Sequence, residues 1–233
     1  MKTSSKILLI TAIIILVFIT ALIVGSRFML NNATAKFTEY SDEELIQKEY
    51  DFKDFNALII AGIWSIDIEQ GDQYSVKIQY PEIYEDEILI TQESGELIFE
   101  NDLKRRSGGG LIYAAITMPQ LSAIEILEGA DISFEEFNCD HLSIRSTGAA
   151  KIKGSGSSIQ DLELFCDGAA HVNLRRSDVF NATVCLNGAS RVELTMTGGK
   201  LSGSANGASS IIYYGEITSQ DIKTAGAVSI RHR

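Results

Sequence analysis

From Phe55 onward, apolar residues fall at every second position. Leu58, Ile60, Trp64, Ile66 and Ile68 alternate with other residues, Gly62 keeps the phase, and Val76 and Ile78 resume it after a turn at Gly71-Asp72. Side chains of a strand point alternately to its two faces, so this spacing predicts half-buried strands. Pro81 ends the run, because proline cannot donate to a ladder. Ile88–Thr91 and Leu97–Glu100 read as two strands joined in a hairpin through Ser94-Gly95. Leu111–Met118 is a further strand, stopped by Pro119.

From Leu121 the alternation becomes periodic. The line Gly148-Ala149-Ala150-Lys151-Ile152 returns at Gly168, Gly188, Gly207 and Gly226, with spacings of 20, 20, 19 and 19 residues. A blurred copy precedes it at Glu128-Gly129-Ala130-Asp131-Ile132. With the first residue of each line as zero, offset minus four holds Ile124, Ile144, Leu164, Val184, Gly203 and Ile222. Offset plus four holds Ile132, Ile152, Val172, Val192, Ile211 and Ile230. Even offsets are mostly apolar and odd ones mostly polar, so each repeat offers one face to a core that it cannot bury alone. The expected fold is all-β: a parallel β-helix or solenoid of coils about 20 residues long, spaced about 4.8 Å apart. Gly148, Gly168, Gly188, Gly207 and Gly226 are its corners, where a larger residue would strike its own copy one coil away. A variable, often polar stretch of about seven residues closes each coil. An antiparallel sandwich is the alternative, since Asp167-Gly168, Asn187-Gly188 and Asn206-Gly207 all match hairpin turns. Recurrence of one residue type at one offset favours stacking.

The N-terminus carries a different pattern. Lys2 and Lys6 precede an apolar run from Ile7 to Val24. As a helix that run spans about 27 Å, close to a bilayer core. Residues 1–30 are therefore expected to be one transmembrane signal-anchor, with the N-terminus cytoplasmic and the rest extracytoplasmic. Residues 31–50 would be a juxtamembrane spacer, with a possible helix start at Ser41-Asp42-Glu43-Glu44. Residues 51–233 would form the solenoid, regular over 120–233. The alternative is secretion after cleavage near Ala35, where Ala33-Thr34-Ala35 resembles a cleavage site.

Charge and rare residues narrow the chemistry. The net charge of −11 argues against nucleic acid as a partner. Cys139, Cys166 and Cys185 have no metal-binding spacing, and register sets Cys166 inward and Cys185 outward, so they should not pair. His141, His171 and His232 fit no zinc motif. The Lys104–Gly110 stretch lacks the order of a phosphate-binding loop and reads as an exposed tip. Asp161, Glu163 and Asp167 share a coil but spread over two strand offsets and a corner, which is poor support for a polysaccharide lyase or hydrolase. No catalytic, cofactor or metal residue is assigned. Near the outward offsets plus three and plus five, Lys151, Lys153, His171, Arg175, Arg176 and Arg191 together would make a local basic stripe on an acidic protein. Such a stripe suits an anionic glycan or a phosphate-bearing envelope polymer. The plainer reading is a solvated face whose charges alternate with Asp131 and Glu193.

The repeated G-A-x-x-[IV] lines, the opening Phe55-x-x-Leu58 with Ile66-x-Ile68-x-Gln70-Gly71-Asp72-x-Tyr74-x-Val76, and Met118-Pro119-x-Leu121 resemble the putative auto-transporter adhesin head GIN domain. The resemblance covers roughly Tyr50 to Arg233. It implies a right-handed parallel β-helix on a bacterial cell-surface or envelope protein, and it offers no catalytic residues. The chain departs from many relatives in having no lipobox cysteine after its apolar run. The expected function is a membrane-anchored, non-enzymatic module that recognises a glycan, an envelope polymer or a host surface. A glycan-processing enzyme and an envelope structural or stress-sensing protein are the alternatives. Arg231-His232-Arg233 would blunt an open sheet edge. Immunoblotting of the mature protein should show the full-length chain; a product shortened by residues 1–35 would mean cleavage and secretion instead.

Overall fold

The computed structural model describes residues 45–103 and 112–233. The expected anchor, the cleavage site, the helix start at Ser41 and the Lys104–Gly110 loop lie outside the described residues. Among the described residues no helix is long and apolar enough to cross a membrane.

The chain is all-β, as its alternation predicts, and its described strands join into one sheet. Two ladders run through it. One follows β6 (Glu96–Asn101), β2 (Ala57–Ala61), β8 (Ala123–Ile126), β10 (Asn138–Ser146), β11 (Ala149–Gly188), β13 (Lys200–Gly207) and β15 (Ser219–Gly226). The other follows β7 (Tyr113–Met118), β3 (Ile63–Gln70), β9 (Gly129–Glu135), β11, β12 (Arg191–Thr197), β14 (Ser210–Glu216) and β16 (Ser229–His232). Every pairing along these two paths is parallel. Ile124 lies beside Ile144 and Ile144 beside Leu164, while Val172, Val192, Ile211 and Ile230 form a second row. The offsets read from sequence are therefore the columns of the stack, and their apolar members are buried from Ile124 to Ile211. Parallel pairing excludes the antiparallel sandwich: Asn187-Gly188 and its copies turn between sides of one layer, not between hairpin strands.

The corners show why glycine recurs. The N–H groups of Ala149, Ala169, Ala189, Ala208 and Ala227 donate to the carbonyls of Glu128, Gly148, Gly168, Gly188 and Gly207, each one layer back, at 2.8–3.2 Å. At that approach a side chain has no room. A Cβ on Gly148 would sit 1.8 Å from the Glu128 carbonyl oxygen. Gly188 also has φ +111°, a conformation that side chains disfavour, with the Gly168 carbonyl oxygen 2.4 Å from its would-be Cβ.

Three features depart from the sequence expectation. First, the closing stretch of each repeat is a further side of the stack, not a polar loop. Phe137, Cys139, Ile159 and Val179 are buried there, with Ser157 and Ser177. Exposed pairs such as Glu135-Glu136 and Asp140-His141 reset the inside-outside phase at the corners, so no single period-two template follows the chain through them. Second, two layers lie before the Gly-Ala lines. Trp64 pairs with Ala130 and Ile66 with Ile132, which puts Gly62, at φ +106°, on the corner column. Leu97 pairs with Leu58 and Ala114 with Ile66, one layer further out. Third, Leu45–Tyr50, expected as spacer, is strand β1 and pairs antiparallel with β4 (Ser75–Pro81).

β4 lies antiparallel on β7, and β5 (Ile88–Glu93) lies antiparallel on β6, so antiparallel strands close this end of the stack. The β5–β6 turn is the expected hairpin: Ser94 at φ 53° and Gly95 at φ 85° have the left-handed geometry of a two-residue turn. At the other end, β15 and β16 have no strand beyond them among the described residues. There Tyr213 stacks on His232 at 4.8 Å, and Arg231, His232 and Arg233 are exposed.

Replacing Gly188 by Val should lower stability by about 2 kcal/mol or more, combining left-handed strain with overpacking. The melting temperature should fall by about 4 °C or more. An unchanged melting curve would show that the corner tolerates a side chain.

Candidate functional site

Outward columns of a parallel stack form ladders of like-placed side chains, one strand spacing apart. On the side built by β7, β3, β9, β11 and β12, two such columns matter. One carries Ala115, Asp67, Ser133, Lys153, Asn173 and Glu193. The other carries Thr117, Glu69, Glu135, Ser155 and Arg175.

The stack is not uniform along this side. β11 pairs with β12 in register from His171 to Leu174, and then Asp178 pairs with Thr195. Arg175, Arg176 and Ser177 are thus carried past the next layer without a strand partner in it. The step falls where the repeat shortens from 20 to 19 residues. Thr195 Oγ1 steadies it by donating to the Arg175 carbonyl at 2.9 Å.

Beside the step lies a cleft of roughly 640 Å³ lined by Ser133, Glu135, Lys153, Ser155, Asn173, Arg175 and Arg176. A smaller cavity of about 220 Å³, lined by Asp67, Glu69, Tyr113, Thr117, Ser133 and Glu135, adjoins it. Ser133 and Glu135 line both. In the smaller cavity the Tyr113 hydroxyl donates to Asp67 at 2.7 Å, and Ser133 Oγ donates to the other Asp67 oxygen. Burial first, and the bond to Asp67 second, push the Tyr113 phenol up to about 12, so it remains a proton donor at neutral pH.

The six residues of the expected basic stripe divide into two groups. Lys153, Arg175 and Arg176 share the cleft. Lys151 pairs with Asp131 one layer back. Arg191 Nε donates to Glu193 Oε1 at 2.8 Å, and His171 Nε2 lies 3.8 Å from the same oxygen. Arg175 touches both groups, with its Nε 4.0 Å from Glu193 Oε2 and its guanidinium 4.4 Å from the Tyr214 ring centre. The Glu193 side chain is only 9% exposed, so a nearly buried carboxylate anchors three of the six cationic or titratable groups. Lys153 and Arg176 form no ion pair among the described residues. Ser155, Asn173 and Glu135 were not singled out by sequence pattern. The change of period at Gly188 is the signal that marks their neighbourhood.

Asp161 accepts a hydrogen bond from Asn181 Nδ2 at 2.9 Å. Among the described residues no group of three or more His, Cys, Asp and Glu side chains converges as a metal site. All three cysteines are free thiols, and Cys166 is buried inward with Cys185 half-buried on the outer side, as register requires. Burial pushes the Cys166 thiol up to about 12; burial and then Asp140 push Cys139 up to about 11.

A stacked-repeat β fold with an open surface cleft defines a class of scaffold, not a reaction. The chain belongs to the family described as putative auto-transporter adhesin, head GIN domain, whose profile matches residues 54–216. Solved structures share the fold. A putative adhesin from Bacteroides fragilis superposes with a TM-score of 0.61 at 18% identity, covering 82% of this chain and 97% of its own. One from Parabacteroides merdae gives 0.53 at 15% identity, with coverages of 82% and 97%. Comparison with curated proteins finds no match.

A thiol reagent at pH 8 should label one cysteine, Cys185, in the native protein and all three after unfolding. Rapid native labelling of Cys139 or Cys166 would contradict their burial.

Proposed function

We propose that this chain is a cell-surface recognition module that binds an anionic polymer through the cleft of Lys153, Arg175 and Arg176 and performs no catalysis. The observation that carries this reading is the pair Lys153 and Arg176, two cations without ion pairs among the described residues, lining one cleft of a chain whose net charge is −11. Such a chain repels polyanions in general, so an anionic partner must be met by a local concentration of positive charge. Asn173, Ser133 and Ser155 add neutral hydrogen-bonding groups beside the cations. The family description and the named adhesins of similar fold support a surface role. We read the apolar run in residues 1–30 as the membrane anchor that holds the stack outside the cell, and the stack itself as a right-handed parallel β-helix. Left-handed crossovers in a crystal structure would overturn that last point.

The binding test uses the full-length protein in detergent micelles at physiological salt. Inorganic polyphosphate and hyaluronan should bind, neutral dextran should not, and affinity should fall as salt rises. Lys153→Ala with Arg176→Ala should weaken binding about tenfold or more, as loss of charge-assisted hydrogen bonds implies. Binding unaffected by the double variant, or release of cleaved product, would sink this reading.

A further inference from the structure

We infer that the cleft and its neighbouring cavity are one groove for an acidic glycan lying along the stacking axis. Its anionic group would rest on Lys153 and Arg176, and its sugar hydroxyls on Asp67, Glu69 and Glu135. This rests on the reading that the cleft binds an anionic polymer, and names the class of polymer.

Continuity comes first. Ser133 and Glu135 line both cavities, so no ridge of other residues separates them. The lining residues come from β7, β3, β9 and two successive passes of β11. Five neighbouring strands span four spacings, about 19 Å across the strands. A ligand filling that length runs perpendicular to the strands and parallel to the axis. It is therefore an extended chain, not a compact headgroup.

The chemistry changes along this length. Asn173, Arg175 and Arg176 stand at one end, Lys153 and Ser155 in the next layer, Ser133 and Glu135 in the middle, and Asp67, Glu69 and then Tyr113 toward the other end. A polymer with a negative charge on every unit would set charges against Glu135 and Glu69, and like charges repel. A neutral polymer would leave the cations unused. A glycan in which acidic sugars alternate with neutral ones meets both ends. Carboxylates accept hydrogen bonds from sugar hydroxyls, and Asp67 keeps spare capacity: it receives Tyr113 and Ser133, two donors for about four lone-pair sites. Those two donors also fix the orientation of the carboxylate.

Hyaluronan oligosaccharides, in which glucuronate alternates with N-acetylglucosamine, test this on the full-length protein. Affinity should rise at least tenfold from disaccharide to tetrasaccharide. Glu69→Ala with Tyr113→Phe should remove that gain while leaving disaccharide binding unchanged; both changes are mild, and a melting curve checks that the variant is folded. The tetrasaccharide should also bind more tightly than polyphosphate of similar length. Equal affinity for the two oligosaccharides, or tighter binding of polyphosphate, with weakening by Lys153→Ala and Arg176→Ala retained, would overturn the extended groove and leave the anionic-polymer reading standing. No binding of either probe would overturn both.

Discussion

A chain that stacks on itself in parallel register must bring its backbone within hydrogen-bonding distance of its own previous copy at each corner. Here five alanine N–H groups donate to carbonyls one layer back, and the residue beside them has no space for a Cβ. Glycine at these points is thus a steric condition of the fold rather than a binding motif. Once the corners are in register, each inward side chain lands on its counterpart, and buried columns of Ile, Leu and Val follow. Outward side chains are aligned by the same rule. Lys151 meets Asp131, Ser155 Oγ donates to Glu135 at 2.8 Å, and Asn206 donates to Asn187 at 2.9 Å, each between adjacent layers.

That rule explains what could be read before the structure and what could not. The columns at Ile124, Ile144 and Leu164 were visible because repetition exposes register directly. Phe137 and Ile159 escape the pattern, because the inside-outside phase resets at corners that no glycine announces. The layer of β2 and β3 reads as strands but not as a repeat: its copy of the corner, Ala61-Gly62-Ile63, lies 66 residues before Leu127-Glu128-Gly129, across an insertion. For the site, the basic residue types were visible and their partners were not. Ion pairs across the stack depend on which odd column reaches which neighbour. Glu193 looked like one of several alternating surface charges, yet it is almost fully covered.

Glu193 also shapes the electrostatics of the cleft. By engaging Arg191, Arg175 and His171 it removes much of the stripe's charge from the surface at that point. Lys153 and Arg176 are left as the cations of the cleft without an ion pair among the described residues. Because Arg175 is bordered by Glu193 and faces Tyr214, it is held by two neighbours at once. A guanidinium ordered in advance loses less entropy when a ligand arrives than a free one does. The step at Arg175–Ser177 thus supplies both the space and the charge, on a side of the stack that would otherwise be a flat ladder.

The order in which the chain visits its layers sets how it can fold. Toward the C-terminus each layer pairs with residues only 17 to 20 positions away, as Asp178 with Thr195 and Ser229 with Ser210, so layers can be added one after another behind synthesis. The other end cannot grow in that way. Leu58 faces Ile124, 66 residues later, on one side and Leu97 on the other. The β2–β3 layer therefore waits for segments on both sides, and long loops must close before its core is sealed. Short separations favour nucleation in the regular repeats, and long loop closures slow the antiparallel end. A kinetic intermediate of this protein would accordingly expose Trp64 and Phe99, the edge-to-face pair at 5.2 Å, while the Gly-Ala corners are already formed.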